Sequence, residues 1–231
     1  MSTQYFGPHL CQPDKYKSCA WCCGLYNRYH RSRAELAREL KARTEEFART
    51  ERTVEAISHF SESNRLGKET ELFDPDFYSC EFVGFLNEEE TLVGCMLHPL
   101  ARGNGGTDWR GLSFHGAMAC QGFYCRSYRE LGPFPKEIIL STVNDWYLYG
   151  SLISNVDLIH SFFQLVEINS FDPATLLRAP PLKLLEEFFS SLDPLDQMFV
   201  SPSSKFPTFS EGKRAEQQLN LLFSRLGKVF R

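Results

Sequence analysis

The placement of the cysteines is the feature that most constrains this chain. There are eight of them among 231 residues, and none follows position 125. A chain of this length, with 42% hydrophobic residues, buries a core without help from metal or disulfides. The cysteines therefore need another explanation. They form an early block and a late block, namely Cys11, Cys19, Cys22 and Cys23, then Cys80, Cys95, Cys120 and Cys125.

The densest motif is Cys-x-x-Cys-Cys, at Cys19, Cys22 and Cys23. A Cys-x-x-Cys turn brings two thiolates close enough to bind one metal, and it recurs in zinc and iron–sulfur sites. Neighbouring side chains point in different directions, so we expect Cys22 and Cys23 to serve different metals or different irons. The motif therefore predicts a junction between two sites.

Other interpretations of the cysteines are less consistent with the sequence. Residues 1–10 carry no basic segment followed by an apolar stretch, so no secretory signal is recognised and a cytoplasmic location is expected. Reducing conditions there disfavour a disulfide network. A thioredoxin-like redox motif would need a preceding strand and a βαβ unit, which the pattern lacks. Unrelated buried thiols remain an alternative, but they do not explain the Cys-x-x-Cys-Cys motif.

The predicted cofactor is an iron–sulfur cluster or zinc, bound by all eight cysteines as the ligand pool. Eight thiolates match two four-thiolate zinc sites or two cubane clusters, although one centre with spare cysteines gives the same count. His98 and His115 lie within the cysteine-bearing loops and are alternative ligands in a mixed site. The aromatic residues Trp21, Phe123 and Tyr124 favour a shielded iron–sulfur cluster.

Charge and hydropathy indicate which partners are not expected. The formal net charge is −4 and the pI about 5.9, so no overall attraction to nucleic acid or an anionic membrane is predicted. No run approaches the roughly 20 apolar residues that a membrane helix needs.

The first half of the chain combines helix and hairpin signals. Ser32 and Glu35 form a capping box, and an apolar seam follows, which predicts one long helix or two shorter ones over residues 32–64. Apolar runs on either side of the polar turn at 87–90 predict a strand pair over residues 80–97. Such a pair would carry Cys80 and Cys95 at its open end. Residues 99–127 contain six glycines and predict loops with short helical turns.

The last third reads as helical. Residues 136–151 and 155–168 are strongly apolar, Asp172 followed by Pro173 marks a helix start, and residues 181–192 predict another short helix. Thr208 and Glu211 form a second capping box before a final apolar stripe.

The predicted fold class is mainly α, with a short β-hairpin and irregular cysteine-rich loops. A cysteine-cluster metal-binding region at 1–130, metal-stapled and α+β, would pack against a helical region at 131–231 as one globular unit.

Three stretches together resemble the YkgJ-type cysteine-cluster proteins, a family described as a zinc- or iron-chelating domain. They are Cys19-Ala-Trp-Cys22-Cys23, then Cys80-Glu-Phe-Val-Gly-Phe-Leu, then Gly94-Cys95-Met-Leu-His98-Pro99. Cys120 and Cys125 resemble the family's final cysteine element, widened by an insertion over residues 100–119. The resemblance covers roughly residues 11–130 and implies metal chelation. Flagellin lysine methylases have a similar cysteine motif, which implies a possible group-transfer activity.

Three functions follow as hypotheses. The first is a metal-binding protein with one or two Cys-ligated centres, in a structural or redox role. The second is a metal- or iron–sulfur-dependent group-transfer enzyme, which would need a polar cleft beside an open metal position. The third is an interaction module with a structural metal, which would bind a protein partner through its C-terminal helices.

Overall fold

The structure is a computed structural model, and it describes part of the chain. The described residues are 10–28, 32–65, 72, 78–154, 156–168 and 172–178, with 183–185, 187, 221, 224 and 225. Within these ranges the protein is mainly helical with one short antiparallel hairpin, as the sequence predicts. No described helix is both long and apolar enough to cross a membrane.

Two helices fill the interval between the cysteine blocks. They are α1 (Arg33–Arg49) and α2 (Val54–Asn64), so the predicted helical stretch is a pair rather than one long helix. The Ser32 capping box is present, with Ser32 Oγ accepting from Glu35 N and the Glu35 carboxylate accepting from Ser32 N. Thr53 caps α2 by accepting from Ala56 N. The caps satisfy backbone groups that helix ends leave unpaired, and they fix where each helix begins.

The hairpin consists of β1 (Val83–Phe85) and β2 (Val93–Cys95), joined through the turn that the sequence predicts. Phe85 pairs with Val93, and Val83 pairs with Cys95. The pairing register places Cys95 at the open end, on the side from which Cys80 enters the strand, as expected. Helix α1 packs on β1, and Thr44 Oγ1 accepts a hydrogen bond from Phe85 N at 2.8 Å.

Residues 99–127 form loops with short helical turns, as predicted. A 3-10 turn spans Arg110–Leu112, and α3 spans Gly116–Gly122. The turn begins where Trp109 N donates to Leu97 O at 3.1 Å, so this region lies against the end of the hairpin.

Five helices make up the rest of the described chain. They are α4 (Arg126–Glu130), α5 (Pro133–Thr142), α6 (Trp146–Ser154), α7 (Val156–Ile168) and α8 (Pro173–Leu176).

The apolar segment at 136–151 is divided between two of these helices. Asp145 accepts hydrogen bonds from Tyr147 N and Leu148 N, at 3.0 Å and 2.9 Å, and so acts as a start signal for α6 within a mostly apolar segment. The helix start predicted at Asp172 and Pro173 is confirmed by α8. The predicted helix at 181–192 lies mostly outside the described residues, and so do the capping box at Thr208 and the stripe after it.

Three apolar clusters form the core. The first lies among α4 to α7 and includes Leu10, whose carbonyl accepts from Tyr149 Oη at 2.8 Å. The second joins α1, the hairpin, α6 and the turn that carries the Cys22–Cys23 doublet, which we call the doublet turn. The third packs Phe47, Phe60 and Phe82 together below the hairpin, with ring centroids 5.0 to 6.1 Å apart. Side chains from both predicted halves therefore share a core, while the division at residue 130 stays a prediction.

Gly150 allows α6 to approach Tyr26 closely. A Cβ at Gly150 would overlap the Tyr26 hydroxyl and lie 2.9 Å from its Cζ. The buried hydroxyl cannot easily retreat, because it is within hydrogen-bond range of the carbonyls of Trp146 and Tyr147, at 3.3 Å and 3.2 Å.

We therefore expect Gly150→Ala to destabilise the protein by about 1–3 kcal/mol, since overpacking outweighs the gain in helix propensity. Chemical denaturation measures this loss. Gly122→Ala is the control, because a Cβ there meets nothing within 4 Å. Equal stability of the two variants would contradict the packing described for α6.

Candidate metal centre

The Cys-x-x-Cys-Cys motif is built on a single tight turn. Residues Trp21–Cys23 form one 3-10 turn, which Gly24 ends in the left-handed conformation at φ 76°. A Cβ at Gly24 would lie 2.7 Å from Ser79 Cα, so only glycine allows this close approach of the two backbones. The approach brings the early cysteine block against the segment that carries Cys80.

Four hydrogen bonds position the early cysteine block, two of them to the segment that carries Cys80. Cys80 N donates to Cys23 O at 2.8 Å, and Ser79 Oγ donates to Gly24 O at 3.0 Å. On the other side, Val93 N donates to Ser18 Oγ at 2.7 Å. Cys19 N donates to Cys11 O at 2.8 Å. The cysteines are thus positioned by main-chain contacts to residues distant in sequence.

The cysteines converge in two sets, which we call the first and second thiol groups. In the first, Cys19 and Cys125 pack against the same apolar clusters, and Cys11 is tied to Cys19 through the backbone. In the second, Cys80 and Cys95 border the third cluster, and Cys23 is tied to Cys80 through the backbone. The first group is Cys11, Cys19, Cys22 and Cys125, and the second is Cys23, Cys80, Cys95 and Cys120.

Burial, reinforced by electrostatic repulsion within the first group, raises the pKa of three of its four thiols. Cys11 is at an exposed position, yet the surrounding protein desolvates its thiol, and Cys22 and Cys125 add to this, so that its pKa rises to about 12. Burial, then Cys22, raises the pKa of Cys19. Burial, again with Cys22, raises the pKa of Cys125. These thiols lie close enough for a charge on one to oppose ionisation of another.

The second group has the same character. Burial and Cys95 raise the pKa of Cys80, while burial and Cys120 raise the pKa of Cys95 to about 11. A hydrogen bond with Cys22 raises the pKa of Cys23, and the same contact lowers that of Cys22. Cys22 is therefore the more acidic thiol of the doublet and ionises first.

Two charged side chains border the second group. Arg110 interacts favourably with Cys95 and Cys120. Its guanidinium donates two hydrogen bonds to the Asp108 carboxylate, at 2.8 Å and 2.7 Å. Glu81 is buried beside Cys80 and accepts hydrogen bonds from Ser61 and Tyr78. The guanidinium stabilises thiolates here, whereas the carboxylate opposes them.

Ion pairs of two buried arginines with one carboxylate support the doublet turn. Arg28 and Arg43 are both buried and both pair with the carboxylate of Glu39 on α1. Arg28 also donates to Ser79 Oγ at 3.1 Å, the hydroxyl that in turn donates to Gly24 O. The network connects α1 to the contact between the two cysteine-bearing segments.

All eight cysteines lie among the described residues, and none is in a disulfide. In the described part of the chain, no group of three or more Cys, His, Asp or Glu side chains is arranged so that it could hold a metal ion. The structure thus brings the cysteines into two neighbourhoods without forming a coordination sphere in either.

Of the two histidines, His98 contacts the second group through its backbone, because its N–H donates to Cys95 O at 3.1 Å. His98 Nδ1 accepts from Leu100 N at 3.2 Å, and burial lowers its pKa. His115 is exposed and contacts the rings of Tyr78 and Phe114. Of the aromatic residues expected to shield a cluster, Trp21 is buried, but Phe123 and Tyr124 are 48% and 45% exposed.

Sequence reasoning did not identify the supporting residues Ser18, Ser79, Glu81 and Arg110. Ser79 and Glu81 flank Cys80, Ser18 precedes Cys19, and only this adjacency to a cysteine could have singled them out. The contact between Arg110 and the second group depends on tertiary structure, so no local pattern signals it.

A cleft of about 650 Å³ lies between α1 and the hairpin turn, and its lining includes none of the eight cysteines. Lys41 and Arg102 at its edge are paired with Glu90 and Glu88. Most of the exposed large apolar side chains in the described residues, such as Leu100, Phe114 and Met118, lie outside the C-terminal helices.

Comparisons with protein-family models, with curated proteins and with solved structures found no match to this chain. The resemblance to the YkgJ-type proteins stays a prediction from the sequence.

The raised thiol pKa values predict a loss of stability at alkaline pH for the metal-free protein. Unfolded thiols ionise near about pH 8.5, whereas Cys95 in the fold keeps its proton to about 11. Below the unfolded value the stabilisation is fully present, and it is lost as the pH rises toward the folded value.

Urea denaturation at about pH 7 and about pH 10, with reductant and chelator, measures this change. The double variant Cys80→Ala/Cys95→Ala should lose less stability between the two pH values. An equal loss in both proteins would mean that these thiols do not contribute.

Ser18→Ala tests the attachment of the early cysteine block to the hairpin. The variant leaves the buried Val93 N–H without its acceptor, which costs about 1–3 kcal/mol. Denaturation against Ser63→Ala, at an exposed position of α2, measures the difference. Loss of the same stability in both variants would remove the role assigned to Ser18.

Proposed function

We propose that this protein binds metal through its cysteine thiolates, as zinc or as an iron–sulfur centre, and that the metal cross-links its folded chain. The observation that supports this is the convergence of thiols from three distant segments, 11–23, 80–95 and 120–125, into two groups of four. Thiolates are the donors that zinc and iron–sulfur clusters take in proteins.

The chemistry of the donors fits this function. All eight cysteines are thiols rather than disulfides, so each one has a sulfur to offer. Burial and mutual repulsion oppose their ionisation, and a bound cation removes that opposition. Metal binding is then coupled to the release of thiol protons and to folding.

A structural role is better supported than catalysis. The cleft beside the hairpin has none of the cysteines in its lining, so this cleft does not place a polar cavity beside either thiol group. The segments that the thiols would join are already joined by backbone hydrogen bonds, such as the one from Cys80 N to Cys23 O. Metal would strengthen a contact that the fold has made.

Elemental analysis and visible absorption of protein purified without oxygen test this proposal. Brown protein with iron and sulfide would identify a cluster, and colourless protein with stoichiometric zinc a zinc site. Removing the metal with a chelator should lower the thermal unfolding temperature, because binding energy contributes to folding.

Cys22→Ser and Cys95→Ser should each reduce the bound metal and the unfolding temperature. Their matched control is Ser63→Ala, far from a thiol in sequence. Protein that contains no metal and that takes up none under reducing conditions would overturn the proposal.

A further inference from the structure

The path of the chain through the fold indicates which cysteines would bind the same metal. This inference rests on the proposed function. Cys19 and Cys125 lie between the first and second apolar clusters, and Cys11 is placed beside Cys19 by the hydrogen bond between their backbones, at 2.8 Å. Cys22 follows in the same turn as Trp21, whose N–H points at Cys19 Sγ at 3.5 Å. These contacts gather one set of thiols on the side of α4 and α6.

A second set gathers at the open end of the hairpin. Cys80 N bonds to Cys23 O, and Met96 N bonds to Phe82 O at 2.9 Å, which extends the strand pairing beside Cys95. Cys120 approaches from α3, where its Sγ is 3.9 Å from Ser113 Oγ. Ser113 Oγ also donates to Arg110 O, so α3 is linked to the turn that carries Arg110.

The doublet is where the two sets meet. Cys22 and Cys23 are consecutive residues of one 3-10 turn, yet Cys22 interacts with Cys11, Cys19 and Cys125, whereas Cys23 interacts with Cys80 and Cys95. A hydrogen bond between Cys22 and Cys23 joins the two sets. Each set contains four thiols, and four thiolates complete a zinc site or a cubane cluster.

We propose that the eight cysteines form two separate metal sites that adjoin at the doublet, each taking zinc or an iron–sulfur cluster. The first site is Cys11, Cys19, Cys22 and Cys125, and the second is Cys23, Cys80, Cys95 and Cys120. When zinc binds, each thiol gives its proton to solvent and its sulfur forms a bond to the metal, with no change of oxidation state. Arg110 offsets part of the negative charge at the second site.

The exposed members of each set complete the sites. Cys11 and Cys120 are the two cysteines at exposed positions. Because no described group is yet arranged to hold a metal, metal binding requires some sulfurs to move, and we expect the two cysteines at exposed positions to move most. Metal should therefore protect the amides around Cys11 and in α3 from hydrogen exchange.

Counting bound zinc in single and double variants tests the pairing. The wild-type protein, reduced and equilibrated with zinc against a competing chelator, should hold about two ions, one for each four-thiolate site. Cys11→Ser, Cys125→Ser and the double variant of both should each hold half of that amount. Cys120→Ser should also hold half, and Cys11→Ser/Cys120→Ser should hold none.

Cobalt provides the second readout, because its thiolate charge-transfer absorption scales with the sulfurs bound. The absorption should halve in Cys11→Ser/Cys125→Ser and vanish in Cys11→Ser/Cys120→Ser. Circular dichroism checks that each variant is folded, which matters most for Cys125→Ser, because Cys125 packs against two apolar clusters.

Three results would overturn the pairing. They are loss of all zinc in Cys11→Ser alone, loss of all zinc in Cys11→Ser/Cys125→Ser, or zinc retained in Cys11→Ser/Cys120→Ser. The first would indicate one bridged centre, and the other two would indicate different ligand sets. Wild-type protein that binds neither zinc nor cobalt, nor iron with sulfide, would instead overturn the proposed function.

Discussion

The hydrogen bond from Cys80 N to Cys23 O is the contact on which the arrangement of the cysteines depends. It forms between chain segments separated by two helices, and it needs Gly24, because a side chain there would collide with Ser79. The Ser79 hydroxyl and the ion pairs of Arg28 fix the same contact from its buried side. Apolar packing supplies most of the driving force for folding, but these polar contacts decide which cysteines become neighbours.

Gathering thiols in a protein interior has an electrostatic cost that appears only when they ionise. Neutral thiols pack as small apolar groups, whereas several thiolates close together repel one another and lose hydration. The raised pKa values of Cys19 and Cys80 express this conflict. Arg110 relieves part of it in the second group, and a metal cation would relieve far more. The same groups are therefore compatible with a stable core when protonated and become effective ligands only when a cation is present.

Much of the fold could be predicted from the sequence, because its signals are local. The capping box at Ser32, the hairpin turn and the helix start at Pro173 each involve residues a few positions apart. The start of α6 was missed because the polar residues Asn144 and Asp145 interrupt a segment whose other residues are mostly apolar. The grouping of the thiols could not be predicted either, since it depends on which segments meet in three dimensions. Only the Cys22–Cys23 doublet indicated two groups, because neighbouring side chains are expected to point in different directions.

The sequence positions of the two thiol groups have a mechanical consequence. Every cysteine of the second group, from Cys23 to Cys120, lies between Cys11 and Cys125 of the first. With metal in both sites, the first site would form an outer cross-link of the chain and the second an inner cross-link. A pulling force applied at the two ends of the chain would act on the outer cross-link alone. The inner cross-link would carry no tension until the outer one ruptured. The hairpin would thus be the last part of the cysteine region to unravel.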